Sequence, residues 1–451
     1  MKVSQKYLLA ALTGLAFLAF PSSAIARERE IDPLKYGGVY YVPSETMIDV
    51  PAAPEGYKAV HISTYNRHGA RYSESESAYR VLKQAFEAGE NSMTPYGKEF
   101  ADAYLEFEKI AHIRVGDLTH LGWDQLKRLG AKMYDSCPDI FSADPEIRAI
   151  STYVPRALLS MTAFCNALLE KDNTLDIREE ESLMFLDYLN PYSPHCELNL
   201  PVDQFIRSKK AWWYGECRDM FNKLVDSDKI LSRLFTDLSV LEGIDRFELL
   251  TALHVLAVGT QCIDSHVCTY DFMTLFKEKE LKAMWEVDNY RFYAIKGPCP
   301  KNRGRGYQIM WPMLDKMLAD GREALASDRP TVKLHFGHDG CLMGLLTLMD
   351  AGEWGRETDD PYEVKDFWRS YEIPMAANAC LTIYRKGDSR EDALVSFVLN
   401  GIPADLPLEK VGGCYYRWDD FCRHYTETVA AARKALAVTD LDPVDVYKKL
   451  D

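Results

Sequence analysis

Residues 58–71 have the sequence KAVHISTYNRHGAR, and this stretch indicates both a fold and a site. Its first part, residues 58–66, is rich in β-branched and aromatic side chains and has the length of a strand. That strand runs directly into Arg67-His68-Gly69-Ala70-Arg71. Gly69 allows the backbone to turn sharply and to approach a ligand closely. The stretch therefore predicts a strand that delivers a histidine and two arginines to a turn.

These side chains are poorly suited to a hydrophobic core. A guanidinium stays charged and loses several kcal/mol of solvation when it is buried without a partner. Facing an anion, its planar fork matches phosphate oxygens two at a time. An imidazole aimed at the same anion can attack phosphorus when a partner on its other ring nitrogen fixes the tautomer. Arg67, His68 and Arg71 thus indicate a phosphate pocket.

Two further strands are predicted at residues 147–153 and 332–336, and each ends at polar residues. Pro155 opens a helix after the first strand and places Arg156 in its first turn. The second strand delivers His338-Asp339. Because ligands gather beyond the carboxyl ends of parallel strands, we expect these segments to form one site with residues 67–71.

The remaining pattern alternates between helices and strands, which predicts an α/β fold with a mostly parallel sheet and helices on both faces. From residue 177 to 304 helical periodicity dominates, which indicates an inserted helical cap. The predicted helices cover residues 118–133, 155–168, 205–235, 247–258, 272–285, 342–349 and 419–437, with another ending near 326, and two more strands cover 378–385 and 393–400.

The N-terminus predicts export. Lys2 and Lys6 precede an apolar run over residues 7–20, and small residues of the A-x-A type follow at 22–26. The expected organisation is therefore a signal peptide over 1–26, an α/β domain over 27–176 and 305–451, and the cap over 177–304. We expect a periplasmic or secreted protein with no membrane insertion after cleavage, because the apolar run is too short for an anchor.

The formal net charge of −15 disfavours nucleic acid as a partner. A phosphorylated small molecule remains compatible with it if a few arginines converge locally. The 11 cysteines leave pairing open: Cys262 with Cys268 and Cys414 with Cys422 are close enough for local disulfides, and buried free thiols are the alternative. The sequence gives no oligomeric state.

The string RHGAR after a strand resembles the R-H-G-x-R signature of the histidine acid phosphatases, the large-cap branch of the histidine phosphatase superfamily. The family's second motif, His-Asp, is similar to His338-Asp339, and its third phosphate-binding arginine matches Arg156. The segment with Leu118-Thr119, Gly122, Gln125, Leu129 and Gly130 also resembles the family's pattern after the first motif. The resemblance extends over residues 58 to about 350.

The resemblance implies that His68 is the nucleophile, that Arg67, Arg71, Arg156 and His338 hold the phosphoryl group, and that Asp339 is the general acid. It implies an exported phosphomonoesterase that forms a phosphohistidine and needs no metal or cofactor, with phytate and other inositol polyphosphates among its candidate substrates. Two departures stand out. The family often has proline two positions after the second arginine, where this chain has Ser73. Its inositol polyphosphate phosphatase branch commonly has His-Ala-Glu where this chain has His338-Asp339-Gly340.

Four alternatives stay open at this point. A mutase of the same superfamily would move phosphate between hydroxyls, a metal-dependent phosphatase would need a cation, and a degenerate member would bind phosphate without turnover. His335-x-x-His338-Asp339 has a spacing that invites a metal site, although nearby arginines would repel a cation.

Overall fold

The strand predicted over residues 58–66 lies in the middle of a nine-stranded sheet. The structure is a computed structural model that describes residues 31–387, 389 and 392–437, and the predicted signal peptide, residues 1–26, lies outside them. The strands of the described residues are β1 Tyr57–Arg67, β2 Glu146–Ser151, β3 Ile177–Glu181, β4 Thr331–Gly337, β5 Asn378–Lys386, β6 Ala393–Leu399, β7 Ile402–Pro403, β8 Lys410–Gly412 and β9 Tyr415–Arg417.

The sheet has the order β3-β2-β4-β1-β5-β6-β9-β8, with β7 paired to β6. The four strands from β3 to β1 are parallel, and β5 runs antiparallel to β1. The predicted α/β fold with a parallel core and a helical cap is confirmed. The reversal at β5 and β6 was not predicted, although the short connection over residues 387–392 allows only an antiparallel pair, since parallel strands need a long crossover.

The helices of the described residues cover both faces of the sheet and one of its ends. They are α1 Glu76–Ala88, α2 Pro95–Ala111, α3 His120–Ser136, α4 Pro138–Ser142, α5 Pro155–Lys171, α6 Leu186–Leu189, α7 Pro201–Ile206, α8 Trp212–Leu224, α9 Ser227–Leu231, α10 Arg246–Gly259, α11 Glu278–Lys296, α12 Arg305–Gln308, α13 Trp311–Ala326, α14 Asp339–Leu348 and α15 Trp418–Leu436. Short 3-10 segments cover Pro33–Tyr40, Glu90–Ser92, Leu183–Phe185, Leu238–Leu241, Thr260–Cys262, Phe272–Leu275, Pro300–Asn302, Val364–Asp366 and Ser370–Glu372.

Alternate side chains of β4 enter different layers, as a two-residue period requires. Phe336 packs against Phe164 of α5, with ring centroids 5.6 Å apart, in a core that α3, α4 and α5 complete. His335 points the other way and meets Tyr188 of α6, with ring centroids 5.9 Å apart. Helix α13 covers that second face against β1 and α15. The sheet is therefore buried on both sides.

The helical layer differs in detail from the predicted cap over residues 177–304. Its first residues form β3, which extends the sheet beside β2. Helices α1 and α2 belong to the layer although they precede the predicted segment, because α1 packs against α10. The single helix expected over residues 205–235 is divided into parts of α7, α8 and α9, and Asp226 caps the last of these by accepting from the Lys229 amide.

All 11 cysteines lie within the described residues, and each is a free thiol. Cys262 and Cys268 instead donate to the carbonyl oxygens of Tyr40 and Tyr270. Of the two alternatives, the structure therefore has free thiols and not the two local disulfides. Among the described residues, no helix combines the length and the apolar character needed to cross a membrane.

Candidate active site

Three neighbouring parallel strands end side by side at one edge of the sheet. In the order β2-β4-β1, Ser151 lies opposite Phe336, and Arg67 lies opposite Gly337. His68 and His338 are thus the first residues beyond two paired strands, and the His68 amide donates to the Gly337 carbonyl over 3.1 Å. The structure brings the segments that the sequence separates by hundreds of residues to one place.

His68 is buried, and its hydrogen bond fixes which ring nitrogen is available. Nδ1 lies 2.9 Å from the carbonyl oxygen of Gly69, which can only accept, so Nδ1 carries the proton. The neutral ring therefore keeps the lone pair on Nε2. The His338 ring approaches edge-on with its centroid 5.6 Å away. His68 has the tautomer that a nucleophilic Nε2 requires.

Arg67 is fully buried and is held by three oxygens. Its Nη1 donates to the carbonyls of Val39 and Ile373 over 2.7 and 2.8 Å, and its Nη2 pairs with Asp339 Oδ2 at 2.8 Å. The 3-10 segment Pro33–Tyr40 thus supplies one wall of the site, a contribution that the sequence did not reveal.

Arg71 and Arg156 share one carboxylate. Glu74 Oε2 lies 2.8 Å from Arg71 Nη2, and Glu74 Oε1 lies 2.5 Å from Arg156 Nη2. Arg71 also donates from Nη1 to the Tyr72 carbonyl and stands over the Tyr40 ring, 5.4 Å from its centroid. Both guanidinium groups are largely buried, whereas the Glu74 side chain is 47% exposed.

The three arginines retain unused donors. The Nε atoms of Arg67, Arg71 and Arg156 are buried, and each lacks a hydrogen-bond partner among the described residues. A buried N–H without an acceptor costs about 1–3 kcal/mol, and more when the group is charged. Three such donors around one histidine indicate that an anion completes the site.

His338 and Asp339 occupy the N-terminus of α14. His338 is its N-cap residue, and its Nε2 lies 3.3 Å from the Thr152 hydroxyl, just beyond the end of β2. Asp339 accepts from the Gly340 amide over 2.6 Å with Oδ1, while Oδ2 pairs with Arg67. The carboxylate therefore lies at the rim of the pocket between an arginine and a helix N-terminus.

The loop that carries His68 rests closely on α3. A Cβ on Gly69 would lie 2.3 Å from the Gly122 carbonyl oxygen, and a Cβ on Gly122 would lie 2.1 Å from the Ala70 carbonyl oxygen. The Ala70 amide donates to Gln125 Oε1 over 2.8 Å, and the Thr119 hydroxyl donates to the Ala70 carbonyl. Thr119, Gly122 and Gln125 thus fix the loop, which explains why that segment shows the family pattern.

The pKa values of His68, His338 and Asp339 are all lowered by their surroundings. Burial, followed by the Arg156, Arg67 and Arg71 guanidinium groups, lowers the pKa of His68 well below its usual 6.5. Burial and Arg156 lower the pKa of His338 to about 3. For Asp339 burial is the largest influence and acts upward, but Arg67, Arg71, His338 and the Gly340 amide together outweigh it and lower the pKa to about 2. The ligand-free site thus holds neutral histidines and a carboxylate.

Two further cations lie beside the site. Lys296, the last residue of α11, stands over the Tyr192 ring, 2.9 Å from its centroid, and a Cβ on Gly340 would lie 3.3 Å from its Nζ. Arg207 stands over the same ring, 5.2 Å from its centroid. Neither cation has an ion-pair partner among the described residues. Burial, then Arg207, lowers the pKa of Lys296 well below 10.5.

A cavity of about 400 Å³ opens between this region and the helical layer. Tyr40 and Ser75, which flank Arg71 and Glu74, line one side, and Arg207 and Arg291 line the other. Arg291 is paired with Asp288 at 2.7 Å. None of the six predicted site residues lines the cavity, which comes nearest to the arginine cluster at Tyr40, the ring under Arg71.

Sequence reasoning missed Glu74, Lys296 and Arg207. Glu74 follows Arg71 by three residues, so its closeness to the motif was a usable signal. Lys296 and Arg207 stand in helical segments without any motif, and only the packing of Tyr192 shows that both lie near α14.

A sequence profile for branch 2 of the histidine phosphatase superfamily matches residues 63–400. The match runs from within β1 to the end of β6 and includes the six site residues predicted from the sequence, whereas the wall formed by Pro33–Tyr40 lies outside it. The chain belongs to this superfamily. It is a phosphoric monoester hydrolase of the histidine acid phosphatase family. No curated protein matches the sequence.

Several solved structures share the fold of this chain. The multiple inositol polyphosphate phosphatase of Bifidobacterium longum in complex with phosphate has a TM-score of 0.71 at 17% identity, covering 87% of this chain and 98% of that one. The phytase from D. castellii has a TM-score of 0.60 at 13% identity, covering 95% and 91%. The Hafnia alvei phytase in complex with tartrate has a TM-score of 0.53 at 11% identity, covering 84% and 99%.

Proposed function

We propose that the protein hydrolyses phosphate monoesters through a covalent phosphohistidine on His68, without a metal ion. One observation carries the proposal: a histidine with a free Nε2 is surrounded by three arginines whose Nε donors are buried and unused. Guanidinium groups neutralise the charge that a metal ion would otherwise neutralise on the phosphoryl oxygens.

In the first step His68 Nε2 attacks phosphorus, and the bond between phosphorus and the ester oxygen breaks. Asp339 gives a proton to the departing alkoxide. Arg67, Arg71, Arg156 and His338 hold the three remaining phosphoryl oxygens. In the second step water attacks phosphorus, the N–P bond breaks, Asp339 takes a proton from the water, and His68 returns to its neutral form.

The acid must first receive its proton, because Arg67 keeps the pKa of Asp339 at about 2 in the free site. A phosphomonoester has its second pKa near 6, so below about pH 6 the substrate arrives as a monoanion that carries a proton. Binding places the phosphate against Arg67, which weakens the Arg67–Asp339 pair and makes Asp339 a better base. The substrate monoanion thus supplies the proton that the leaving group receives.

We also propose a substrate class, namely inositol polyphosphates or similarly polyphosphorylated molecules. Lys296 and Arg207 are basic side chains near the site without an ion-pair partner among the described residues, and a phosphate beside Lys296 would favour its protonated form. A substrate with several phosphates places further anions within reach of them once one phosphate lies on His68. Arg207 also lines the cavity of about 400 Å³ beside Tyr40, which gives a further phosphate space next to it.

We further propose that the protein acts outside the cytoplasm. The proposal is supported by the two lysines, the apolar run and the small residues of the N-terminal segment. A low external pH would suit a site that takes its proton from a substrate monoanion.

The mechanism is tested by trapping the intermediate on p-nitrophenyl phosphate. Acid-sensitive, base-stable phosphate should appear on His68, and His68→Ala should abolish it and lower kcat by about 10⁴-fold or more. Asp339→Asn should still form phosphohistidine with this ester, whose leaving group needs little protonation, yet should hydrolyse alkyl phosphates about 10² to 10⁴ times more slowly than the native enzyme.

Three results would contradict the mechanism: His68→Ala with a rate near that of the native protein, loss of activity after exhaustive chelation, or unchanged alkyl phosphate hydrolysis in Asp339→Asn. Reaction in H₂¹⁸O separates the hydrolase from a mutase, because only hydrolysis places one labelled oxygen in the released phosphate.

A further inference from the structure

The carboxylate of Glu74 lies against the two arginines that are expected to hold the phosphoryl group. It contacts Arg71 Nη2 at 2.8 Å with one oxygen and Arg156 Nη2 at 2.5 Å with the other. A carboxylate that spans two guanidinium groups has the charge and the oxygen spacing of part of a phosphate. Glu74 therefore meets both arginines in the way that an anionic ligand would.

The surroundings of Glu74 allow it to move. Its side chain is 47% exposed, while those of Arg71 and Arg156 are 5% and 13% exposed. Its Cγ runs along Gly116, where an added Cβ would lie only 3.4 Å away. The arginines are thus fixed by burial, and the half-exposed carboxylate has solvent to turn into when an anion takes its place.

A count of formal charges shows how the contact of Glu74 with the arginines changes the affinity of the site for phosphate. Arg67, Arg71 and Arg156 contribute three positive charges, and Asp339 with Glu74 offsets two of them, while the histidines are neutral. Removing Glu74 would leave a stronger attraction for phosphate. The same attraction would hold the product, inorganic phosphate, in the site after turnover.

We propose that Glu74 is an internal competitor for the phosphoryl site, which phosphate displaces on binding and which returns to expel the product. Glu74 is thus a specificity-determining residue that weakens the binding of single phosphate groups. Ligands with further contacts elsewhere, such as polyphosphorylated molecules, overcome the competition more easily. The inference rests on the proposed roles of Arg71 and Arg156.

The experiment measures the dissociation constant of inorganic phosphate by calorimetry for the native protein, E74Q, E74A and E76Q. Glu76 is an exposed acid two residues away in the first turn of α1, so E76Q removes the same charge without this contact. We expect E74Q and E74A to bind phosphate about five to ten times more tightly, as one charged contact near a surface allows, and E76Q to match the native protein.

Steady-state inhibition adds a second measurement. In E74Q the inhibition constant of phosphate and the KM for p-nitrophenyl phosphate should fall together, and kcat should fall if product release becomes slow. If Glu74 instead only positions the arginines, E74Q would bind phosphate more weakly and would lose kcat without lowering KM.

Unchanged or weaker phosphate binding in E74Q, an equal gain in E76Q, or no detectable binding by any of these proteins would overturn the inference. The calorimetric titration needs no turnover. A native protein that binds phosphate but hydrolyses no ester would therefore refute the proposed hydrolysis and still test the role of Glu74.

Discussion

At the scale of single residues, the arginines that we propose to hold phosphate also act on His68. A histidine with the ordinary pKa of about 6.5 would be almost entirely protonated at pH 4.5 and could not attack phosphorus. Burial and three neighbouring guanidinium groups lower the pKa of His68 well below that value. The residues proposed to attract the substrate thus also keep the proposed nucleophile neutral under acidic conditions, which gives the proposed acid phosphatase chemistry a physical basis in this chain.

Lys296 offers a residue-scale test of the proposed substrate class. Lys296→Met keeps most of the apolar side chain and removes its amine, and we expect kcat/KM for inositol hexakisphosphate to fall about tenfold or more, since a charged hydrogen bond to phosphate is lost. The value for p-nitrophenyl phosphate should stay within about twofold, because that ester has one phosphate group. Lys282→Met, on the exposed side of the same helix, is the matched control. Equal losses on both substrates would refute a role in selectivity.

The residues predicted from the sequence and those missed differ in one physical respect. Arg67, His68 and Arg71 stand in one contiguous motif, and Arg156 and His338 follow recognisable strands. Their convergence could be predicted because parallel strands share a carboxyl edge. Lys296 and Arg207 reach the same region through the packing of separate helices on Tyr192, and no local pattern encodes that contact.

At the scale of elements, periodicity predicted the central strands and most of the helices packed on them. It missed α1, α2 and β3, and it placed α11 too early, at residues 272–285. The strand predicted over residues 58–66 is one residue shorter than β1 at each end, and the strand predicted over 393–400 is one residue longer than β6 at its C-terminal end. The helical layer was harder to predict, since α1 and α2 join it from before β2, and β3 interrupts its expected start. Hydrophobic spacing identifies a helix but does not say which layer the helix joins.

The contact between the His68 loop and α3 gives an element-scale prediction. Gly122→Ala would place a Cβ 2.1 Å from the Ala70 carbonyl oxygen, so the loop and helix must separate. We expect a loss of about 1–3 kcal/mol in the free energy of unfolding, as for overpacked sites, and a lower kcat because Nε2 of His68 shifts.

Gly215→Ala in α8 is the control for this substitution. An added Cβ there meets no atom within 4 Å, so the change should be neutral or stabilising by up to about 1 kcal/mol through helix propensity. Thermal unfolding and p-nitrophenyl phosphate kinetics on both variants give the comparison. Native kcat in Gly122→Ala would show that the close approach of the loop to α3 is dispensable.

At the scale of the whole molecule, an acidic chain surrounds a cationic pocket. The net charge of −15 repels anions at long range, and the site overcomes this repulsion only through arginines and a lysine concentrated at one edge of the sheet. The proposed selectivity for phosphate therefore depends on short-range contacts. Moderate salt should change phosphate binding little, because the long-range field that it screens is repulsive.

The same molecule buries several histidines away from the site. His61, His254 and His335 are buried, and burial lowers their pKa values to about 3, 4 and 4. His61 and His335 hydrogen-bond within the sheet, to the Thr331 hydroxyl and the Thr64 carbonyl. The fold thus holds these rings in their neutral form at pH values where an unfolded chain would protonate them.

This arrangement predicts that stability falls as the solution becomes acidic. A group whose pKa is lower in the folded state makes the unfolded state bind more protons below pH 6.5, so stability declines from about pH 6.5 toward pH 4. Each such histidine contributes about 1.4 kcal/mol per pH unit in that window, and the raised pKa values of Glu286 and Glu372 offset part of the total.

Calorimetric unfolding between pH 4 and 7, in buffers of different ionisation enthalpy, measures both Tm and the protons taken up. We expect Tm to fall on acidification with net proton uptake near pH 5, whereas a constant Tm or proton release would show that the buried histidines do not govern the pH dependence. His120→Asn, at a histidine whose side chain is 77% exposed, is the control and should leave the slope unchanged.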